Sequence, residues 1–339
     1  MDRSPAKPLA ILGAGSWGTA LALYLSRRGQ AIHLWSIETP HIKTMMVEKT
    51  NNHYLPGHPF PDILQPVPDL ADAIHGVDQV LVVVPSEGFH ATLTAIKPLL
   101  KPHTQIICAT KGLDASGQLL HNVAKQVLGS QHPYAVLAGP SFAREVATGL
   151  PTGVVIASQD APYGRALHQQ FHSPLLQIDL SNDVVGVEIC GVAKNVIAIA
   201  TGIADGMTLG ANARSTMITR GLAELTHLGL ALGGRSETFI GLAGIGDLIL
   251  TCSDNQSRNR RLGLAIGKGQ SIADAEKEIG QAIEGKKNAE LIVHMAQQHR
   301  IHMPICETVW SILQGKMTAK GETIEHLLAQ HPPLSQHAE

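Results

Sequence analysis

The sequence predicts an α/β fold in two parts: a doubly wound, mostly parallel sheet at the N-terminus, followed by an all-α C-terminal domain. Three observations predict it. Up to about Leu180, short apolar runs alternate with helix-length segments; a glycine-rich turn follows the first run and opens a helix; and beyond Ser181-Asn182-Asp183 the strand-like runs stop. At 339 residues the chain is too long for one ordinary domain of roughly 100 to 200 residues. The expected division is a dinucleotide-binding domain over 1–182 and a helical substrate domain over 183–339.

The strand-like runs, in order, are LAILG, AIHLW, QVLVVVP, QIICAT, YAVLAG, GVVIAS and LLQIDL. Several are apolar at consecutive positions rather than alternate ones, as strands covered on both faces of a parallel sheet must be. The intervening segments give a βαβ rhythm, hence a doubly wound sheet. Ser181-Asn182-Asp183 offers capping residues for a first long helix. Helical patterns then run on, with breaks expected at Gly202 to Gly210, Gly233-Gly234, Gly241 to Gly246 and Gly267 to Gly269, and LAQHPPLSQHAE reads as a frayed tail.

Composition narrows the function classes. The hydrophobic content of 44% and 33 glycines suit a globular chain with a core in each domain. Lys plus Arg total 26 against 28 Asp plus Glu, so no overall basic field favours nucleic acid or an anionic membrane, and any anion site must be local. Cys108, Cys190, Cys252 and Cys306 are far apart with no CxxC pair, which reads as reduced thiols in a cytoplasmic protein. The opening MDRSPAKP reads as neither signal peptide nor anchor, and no apolar stretch is expected to reach the roughly 20 residues that span a bilayer.

The first run leads into GAGSWG, with Gly13, Gly15 and Gly18 in GxGxxG spacing and the helical TALALYLSRRG behind. The first glycine permits the tight turn, the second lets a pyrophosphate approach the backbone, and the third lets the helix pack close to the strand. Free amides at that helix start would then hold the phosphates. Strand, turn and helix together predict a Rossmann dinucleotide site. The second strand, ending near Trp35, should present the group that meets the adenosine ribose. Ser36 and Ile37 occupy that spot, Glu38 lies one step beyond, and Arg27 and Arg28 close the preceding helix, so NAD and NADP both remain open.

Three clusters carry candidate chemistry. VVGVEICGVAKNVIAIATGI is apolar nearly all round, so as a helix it should be buried, and Lys194 and Asn195 interrupt it. A buried unpaired ammonium loses hydration and becomes a usable acid and base near neutrality; the alternative is a lysine snorkelling to the surface or paired with a carboxylate such as Glu188. Lys111 in CATKGL follows a strand-like run, where open sheets place their ligands, although a solvated loop lysine has the same signature. In GLAGIGDLILTCSDNQSRNRRLG, Ser257, Arg258 and Asn259 would open a helix, where amides, dipole and a guanidinium fork suit a phosphate; a solvated basic turn is the other reading. The 18 histidines form no metal pattern, since His294, His299 and His302 lack regular ligand spacing, and no metal is expected.

With these residues assembled, the sequence resembles the bacterial NAD(P)-dependent glycerol-3-phosphate dehydrogenase family from about Leu9 to Leu313. The resemblance rests on GAGSWGTALA, VVVPS, ATKGL, AGPSFARE, GVAKNVIAI, GANARS, ITRGLAE, GLAGIGDL, LTCSDNQSRNR and Glu284-Gly285, in that order. It implies hydride transfer between NAD or NADP and C2 of dihydroxyacetone phosphate or glycerol 3-phosphate, supplying glycerol 3-phosphate for phospholipid synthesis. It also implies Lys194 as catalytic acid and base, Lys111 polarising the developing alkoxide, and Asp247 holding the lysines or a substrate hydroxyl with support from Asn195 and Thr251. Gly139 and Ser141 would line the substrate side, and Ser257, Arg258 and Asn259 would take its phosphate. On the cofactor side it implies Ser16, Trp17, Lys111, Ala143, Arg258 and Glu284 beside the three glycines. Some relatives carry a basic or imidazole group where this chain has Ile37, which weakens any carried-over NADP preference. A homodimer is the family expectation. The rival readings are a related 3-hydroxy-acid or sugar-acid dehydrogenase, which would not need the NQSRNR cluster, and a non-catalytic dinucleotide sensor, which would have no use for Lys194.

Overall fold

The computed structural model describes residues 7–319, so the expectations for LAQHPPLSQHAE and for most of MDRSPAKP lie outside the described residues. The chain divides into two compact units between Val184 and Val185.

In the first unit the strands are β1 (Leu9–Leu12), β2 (Ile32–Trp35), β3 (Thr50–Asn51), β4 (Leu55–Pro59), β5 (Leu64–Pro66), β6 (Gln79–Val82), β7 (Gln105–Cys108), β8 (Tyr134–Ala138), β9 (Thr152–Ala157) and β10 (Leu176–Ser181). The helices are α1 (Ser16–Arg27), α2 (Thr39–Glu48), α3 (Leu70–Ile74), α4 (Ser86–Ile96), α5 (Leu120–Leu128), α6 (Ala143–Thr148) and α7 (Ala161–Phe171). Eight strands form one sheet in the order β10-β9-β8-β7-β6-β1-β2-β5, and β3 pairs with β4 in a separate hairpin. Every pairing in the large sheet is parallel except β8 with β9. Helices cover both faces, so β1 carries Leu9, Ala10, Ile11 and Leu12 fully buried, as the consecutive apolar run requires.

The sheet order reverses at β1, which lies between β2 and β6. That switch point puts the loop after β1 where doubly wound sheets take their ligands. Three strands escaped the sequence reading: β3, β4 and β5 are short and carry Asn, Gly, His and Pro instead of β-branched residues. Pro66 is tolerated because β5 is the edge of the sheet.

The second unit contains α8 (Val184–Gly206), α9 (Gly210–Ala231), α10 (Ser236–Phe239), α11 (Asp247–Ser253), α12 (Arg258–Gly267), α13 (Ile272–Ile279), α14 (Glu284–Gln298) and α15 (Pro304–Leu313), with no strand among the described residues. At 23 residues α8 is long and apolar enough to cross a bilayer, which corrects the expectation that no stretch reaches that length. It is instead the core of this unit: Val187, Ile189, Val192, Ala193, Val196, Ile197 and Ile199 are fully buried.

Two expected glycine breaks are narrower than the glycines suggest. Gly202 and Gly206 lie inside α8, and the chain turns only at Met207 to Leu209. These glycines meet Gly263 and Gly267 of α12: a Cβ on Gly202 would stand 2.3 Å from Arg260 O, and one on Gly263 2.1 Å from Ile199 O. Only glycine allows backbones this close, as at small-residue helix crossings. The break expected at Gly241 to Gly246 is confined to Ile240 and Gly241 after α10, since Leu242–Gly246 forms a π-helical turn leading straight into α11. Farther along, the buried Glu224 of α9 accepts from the backbone N–H of Ile305 at 2.6 Å and Cys306 at 3.3 Å, capping α15.

Candidate active site

The dinucleotide fingerprint has the geometry its glycines dictate. Gly13 adopts φ +120°, open to glycine, and its Cβ would strike Val83 O at 2.6 Å; a Cβ on Gly18 would lie 1.9 Å from Gly13 O. Gly15 differs, because no atom lies within 4 Å of where its Cβ would be. Gly15 is also the N-cap of α1 and supplies no side chain to the first-turn amides. Those amides and the open space beside Gly15 suit a pyrophosphate. The loop is braced by Asn51, which donates from Nδ2 to Ala14 O and Thr19 Oγ1, both at 2.8 Å. The Trp17 indole packs against the sheet core, and its buried Nε1 donor has no partner among the described residues.

Around the end of β2, Gly13 N–H donates to Trp35 O at 2.8 Å, joining the glycine loop to that strand. Ser16 Oγ donates to Tyr54 O at 2.7 Å, and the Tyr54 hydroxyl donates to the Glu38 carboxylate at 3.1 and 3.2 Å. Ser36 Oγ accepts from Glu38 N–H at 3.3 Å, while Ile37 is 83% exposed. The two arginines that end α1 are held elsewhere: Arg27 donates to Ala147 O of α6, and Arg28 donates to His172 O at 2.9 Å and lies over the Tyr24 ring. The Arg27 and Arg144 guanidiniums, after burial itself, hold the His58 imidazole below its ordinary value. Ala143 opens α6, the helix that Arg27 ties to α1.

Lys111 stands three residues past β7, with Nζ 3.4 Å from Gly139 O, and Ser141 Oγ donates to the same carbonyl at 2.9 Å. Gly139 has φ +132°, and its Cβ would meet Val154 Cα at 2.9 Å, so glycine is required there. Thr110 Oγ1 donates to Val84 O at 2.8 Å, fixing the loop after β7 to the one after β6. Lys111, Gly139 and Ser141 thus share one location at the carboxyl ends of β7 and β8.

In the second unit, Lys194 is buried and paired. Its Nζ lies 2.6 Å from Asp247 Oδ1, with the two side chains 6% and 3% exposed. The carboxylate partner expected for a buried Lys194 is Asp247, which the π turn before α11 delivers to α8. Thr251 Oγ1 donates to Asp247 O at 2.6 Å, which turns its oxygen toward Lys194 Nζ at 3.2 Å. The adjacent Asn195 donates from Nδ2 to Glu284 Oε2 at 3.2 Å and accepts from Asn259 Nδ2 at 2.9 Å. Asn259 Oδ1 accepts from Gly285 N–H at 2.9 Å, and a Cβ on Gly285 would stand 2.6 Å from that oxygen. Lys194, Asp247 and Thr251 thus form one polar group and Asn195, Asn259 and Glu284 a second, joined through adjacent residues of α8 inside an apolar unit.

Ser257 caps α12, its Oγ accepting from Arg260 N–H at 3.2 Å, and the half-buried Arg258 is the first helical residue. The Asn259 amide is occupied within the protein and serves to join α12 to α8 and α14.

The sequence reading missed Arg260, Asp205, Asn51 and Tyr54. Arg260 is buried, with Nη1 2.6 Å from Asp205 Oδ2 and Nε donating to Asn255 Oδ1 at 3.1 Å; Arg214 shares Asp205 at 2.8 Å. The run RNRR gave no sign that its third residue faces inward; only the glycines beside it could have. His294 packs on Trp310, and His302 pairs with Glu307. Burial pushes the Cys252 thiol, beside this cluster, up to about 12, so it is no nucleophile at neutral pH.

The chain matches two protein-family descriptions, "NAD-dependent glycerol-3-phosphate dehydrogenase N-terminus" over residues 8–163 and "NAD-dependent glycerol-3-phosphate dehydrogenase C-terminus" over residues 183–323. It is 48% identical over 325 residues to a Coxiella burnetii protein named glycerol-3-phosphate dehydrogenase (NAD(P)+), covering 96% of this chain and 97% of that one. An Idiomarina loihiensis protein of the same name is 49% identical over 311 residues, covering 91% and 93%. The crystal structure of glycerol-3-phosphate dehydrogenase from Coxiella burnetii superposes with a TM-score of 0.94 at 48% identity, covering 96% of this chain and all of that one. D-mandelate dehydrogenase, at 14% identity and a TM-score of 0.63, shares the fold alone.

Proposed function

The chain belongs to the NAD-dependent glycerol-3-phosphate dehydrogenase family, and on that premise we propose how its own residues perform the reaction. It is an NAD(P)-dependent oxidoreductase that interconverts glycerol 3-phosphate and dihydroxyacetone phosphate. The observation that carries the residue assignment is the buried Lys194–Asp247 pair on an otherwise apolar helix.

The nicotinamide, when bound, supplies or accepts the hydride at C2. In the reducing direction Lys194 gives a proton from Nζ to the C2 oxygen as negative charge develops there, and in the oxidising direction its neutral form takes the hydroxyl proton. Asp247 and Thr251 fix the direction of Nζ, and Asp247 offsets the cost of keeping an ammonium out of water. After each reduction Lys194 is neutral and regains its proton from solvent. Arg258, at the start of α12, takes the substrate phosphate as a charged fork, and Lys111 stabilises the developing alkoxide electrostatically. Gly13, Gly15, Ser16, Trp17 and Gly18 hold the dinucleotide, with Ala143 beside them on its fold. A homodimer in the cytoplasm, feeding phospholipid synthesis, is the setting this reading takes.

The test is turnover with dihydroxyacetone phosphate and either NADH or NADPH. Lys194→Met should lose at least about a thousandfold in kcat, within the range a positioned acid and base contributes together with its electrostatic effect, while the dinucleotide still binds. Near-normal turnover in that variant would remove Lys194 from the chemistry.

A further inference from the structure

We propose that Glu38, held by Tyr54, makes this chain select NAD(H) over NADP(H). The inference rests on the dinucleotide site of the preceding subsection and assigns its specificity.

A dinucleotide whose pyrophosphate lies on the first amides of α1 extends its adenosine toward the end of β2, where a carboxylate favours a free ribose and repels a 2′-phosphate. The Gly13 N–H to Trp35 O bond puts these two places side by side. Three residues follow Trp35 before α2 begins. Ser36 is spent on the backbone, accepting from Glu38 N–H, and Ile37 has no charge to offer. Glu38 is the N-cap of α2, yet its carboxylate makes no bond to the amides of its own helix. It accepts instead from the Tyr54 hydroxyl through both oxygens. Tyr54 is itself anchored through its carbonyl to Ser16, the first residue of α1. The carboxylate is thus tied, through one side chain, to the helix start that receives the phosphates.

The two arginines that close α1, before β2, are engaged elsewhere, while Lys43 is an exposed residue of α2. Arg27 is bound to the Ala147 carbonyl, and Arg28 to the His172 carbonyl and the Tyr24 ring. Recruiting either one would break these contacts. The imidazoles of His41 and His53 pack on the Tyr54 ring.

The experiment is equilibrium titration of the full-length protein with NADH and with NADPH, each alone, followed by calorimetry or cofactor fluorescence. It is run at pH 8, where an unperturbed imidazole is neutral. Wild type should bind NADH at least about tenfold more tightly, the ratio that about 1.4 kcal/mol of repulsion gives. Glu38→Gln should tighten NADPH and bring the two dissociation constants to within about threefold, roughly half the tenfold step on a logarithmic scale. Tyr54→Phe, which frees the carboxylate without removing it, should narrow the ratio by less. Equal binding of both nucleotides by wild type overturns the proposal, and so does a ratio that Glu38→Gln leaves unchanged. If neither nucleotide binds to folded wild type, the dinucleotide site itself is misassigned, an outcome distinct from loss of selectivity.

Discussion

Removing Asp247 should destabilise the second unit far more than removing the whole ion pair. The Lys194 and Asp247 side chains are 6% and 3% exposed and their charged atoms are 2.6 Å apart. Asp247→Ala leaves an ammonium in the apolar interior with its principal charge partner gone, which costs about 3 to 5 kcal/mol. For a unit of this size that lowers Tm by roughly 6 to 20 °C, at about 2 to 4 °C per kcal/mol. Replacing both partners by apolar side chains of similar volume, Lys194→Met with Asp247→Leu, removes the desolvation cost of two charges along with their attraction. Such replacements are neutral or stabilising by about 1 to 4 kcal/mol. Thermal and urea unfolding of wild type, Asp247→Ala, Lys194→Met and the double variant, with turnover measured in parallel, compares a broken pair with an absent one. All three variants should be nearly inactive; Asp247→Ala and Lys194→Met, each leaving one buried charge, should both be destabilised, and the double variant should not. The reasoning is refuted if Asp247→Ala melts within about 2 °C of wild type, a shift worth no more than roughly 1 kcal/mol, or if the double variant is as unstable as Asp247→Ala.

Two further outcomes follow from other contacts. Gly263→Ala would press a Cβ to 2.1 Å from Ile199 O, against backbone that has nowhere to go, so it should cost at least about 3 kcal/mol in urea unfolding. By prising α12 from α8 it should also raise KM for the phosphate substrate more than it lowers kcat, and an unaffected KM would count against α12 as the phosphate site. All four cysteines are buried and outside any disulfide, and burial holds Cys252 at about 12 and Cys306 above its ordinary value. A shift in this direction keeps the thiol protonated through pH 9, so the folded protein should resist an aromatic disulfide reagent there and release all four thiols only on unfolding; rapid labelling of Cys252 in the native protein would contradict its placement.

The fold was legible wherever burial left a compositional trace. Seven apolar runs mark seven of the eight strands in the large sheet: the inner ones are apolar at consecutive positions because both faces are covered, and the edge strand β10 alternates. β5 and the β3–β4 hairpin left no such trace, being short and made of polar, glycine and proline residues at an edge or outside the sheet. The lysine on α8 was conspicuous for the same reason, a charge in an apolar run. Composition gave no such mark to its partner, since Asp247 lies 53 residues on and reaches Lys194 through a π turn in a glycine-rich stretch; the family resemblance alone implied that Asp247 holds the lysines. Asn51 and Tyr54 were invisible because their roles come from hairpin geometry rather than from periodicity.

The misread glycines also explain how the second unit holds its polar cluster in register. α8 carries Lys194 and Asn195 near its middle and Gly202 and Gly206 in its last turns. The glycines fix α12 against α8 at backbone contact, a spacing no flexible side chain can alter. Once α12 is set there, Asn259 can be shared between Asn195 and Gly285, and Arg260 turns inward onto Asp205, itself a residue of α8. Arg258, on the first turn of the same helix, then has its position relative to Lys194 set by backbone contact rather than by mobile side chains. On the proposed assignment Lys194 and Arg258 act on one small molecule and need that fixed separation, because a displacement of about 1 Å can cost roughly a hundredfold in rate.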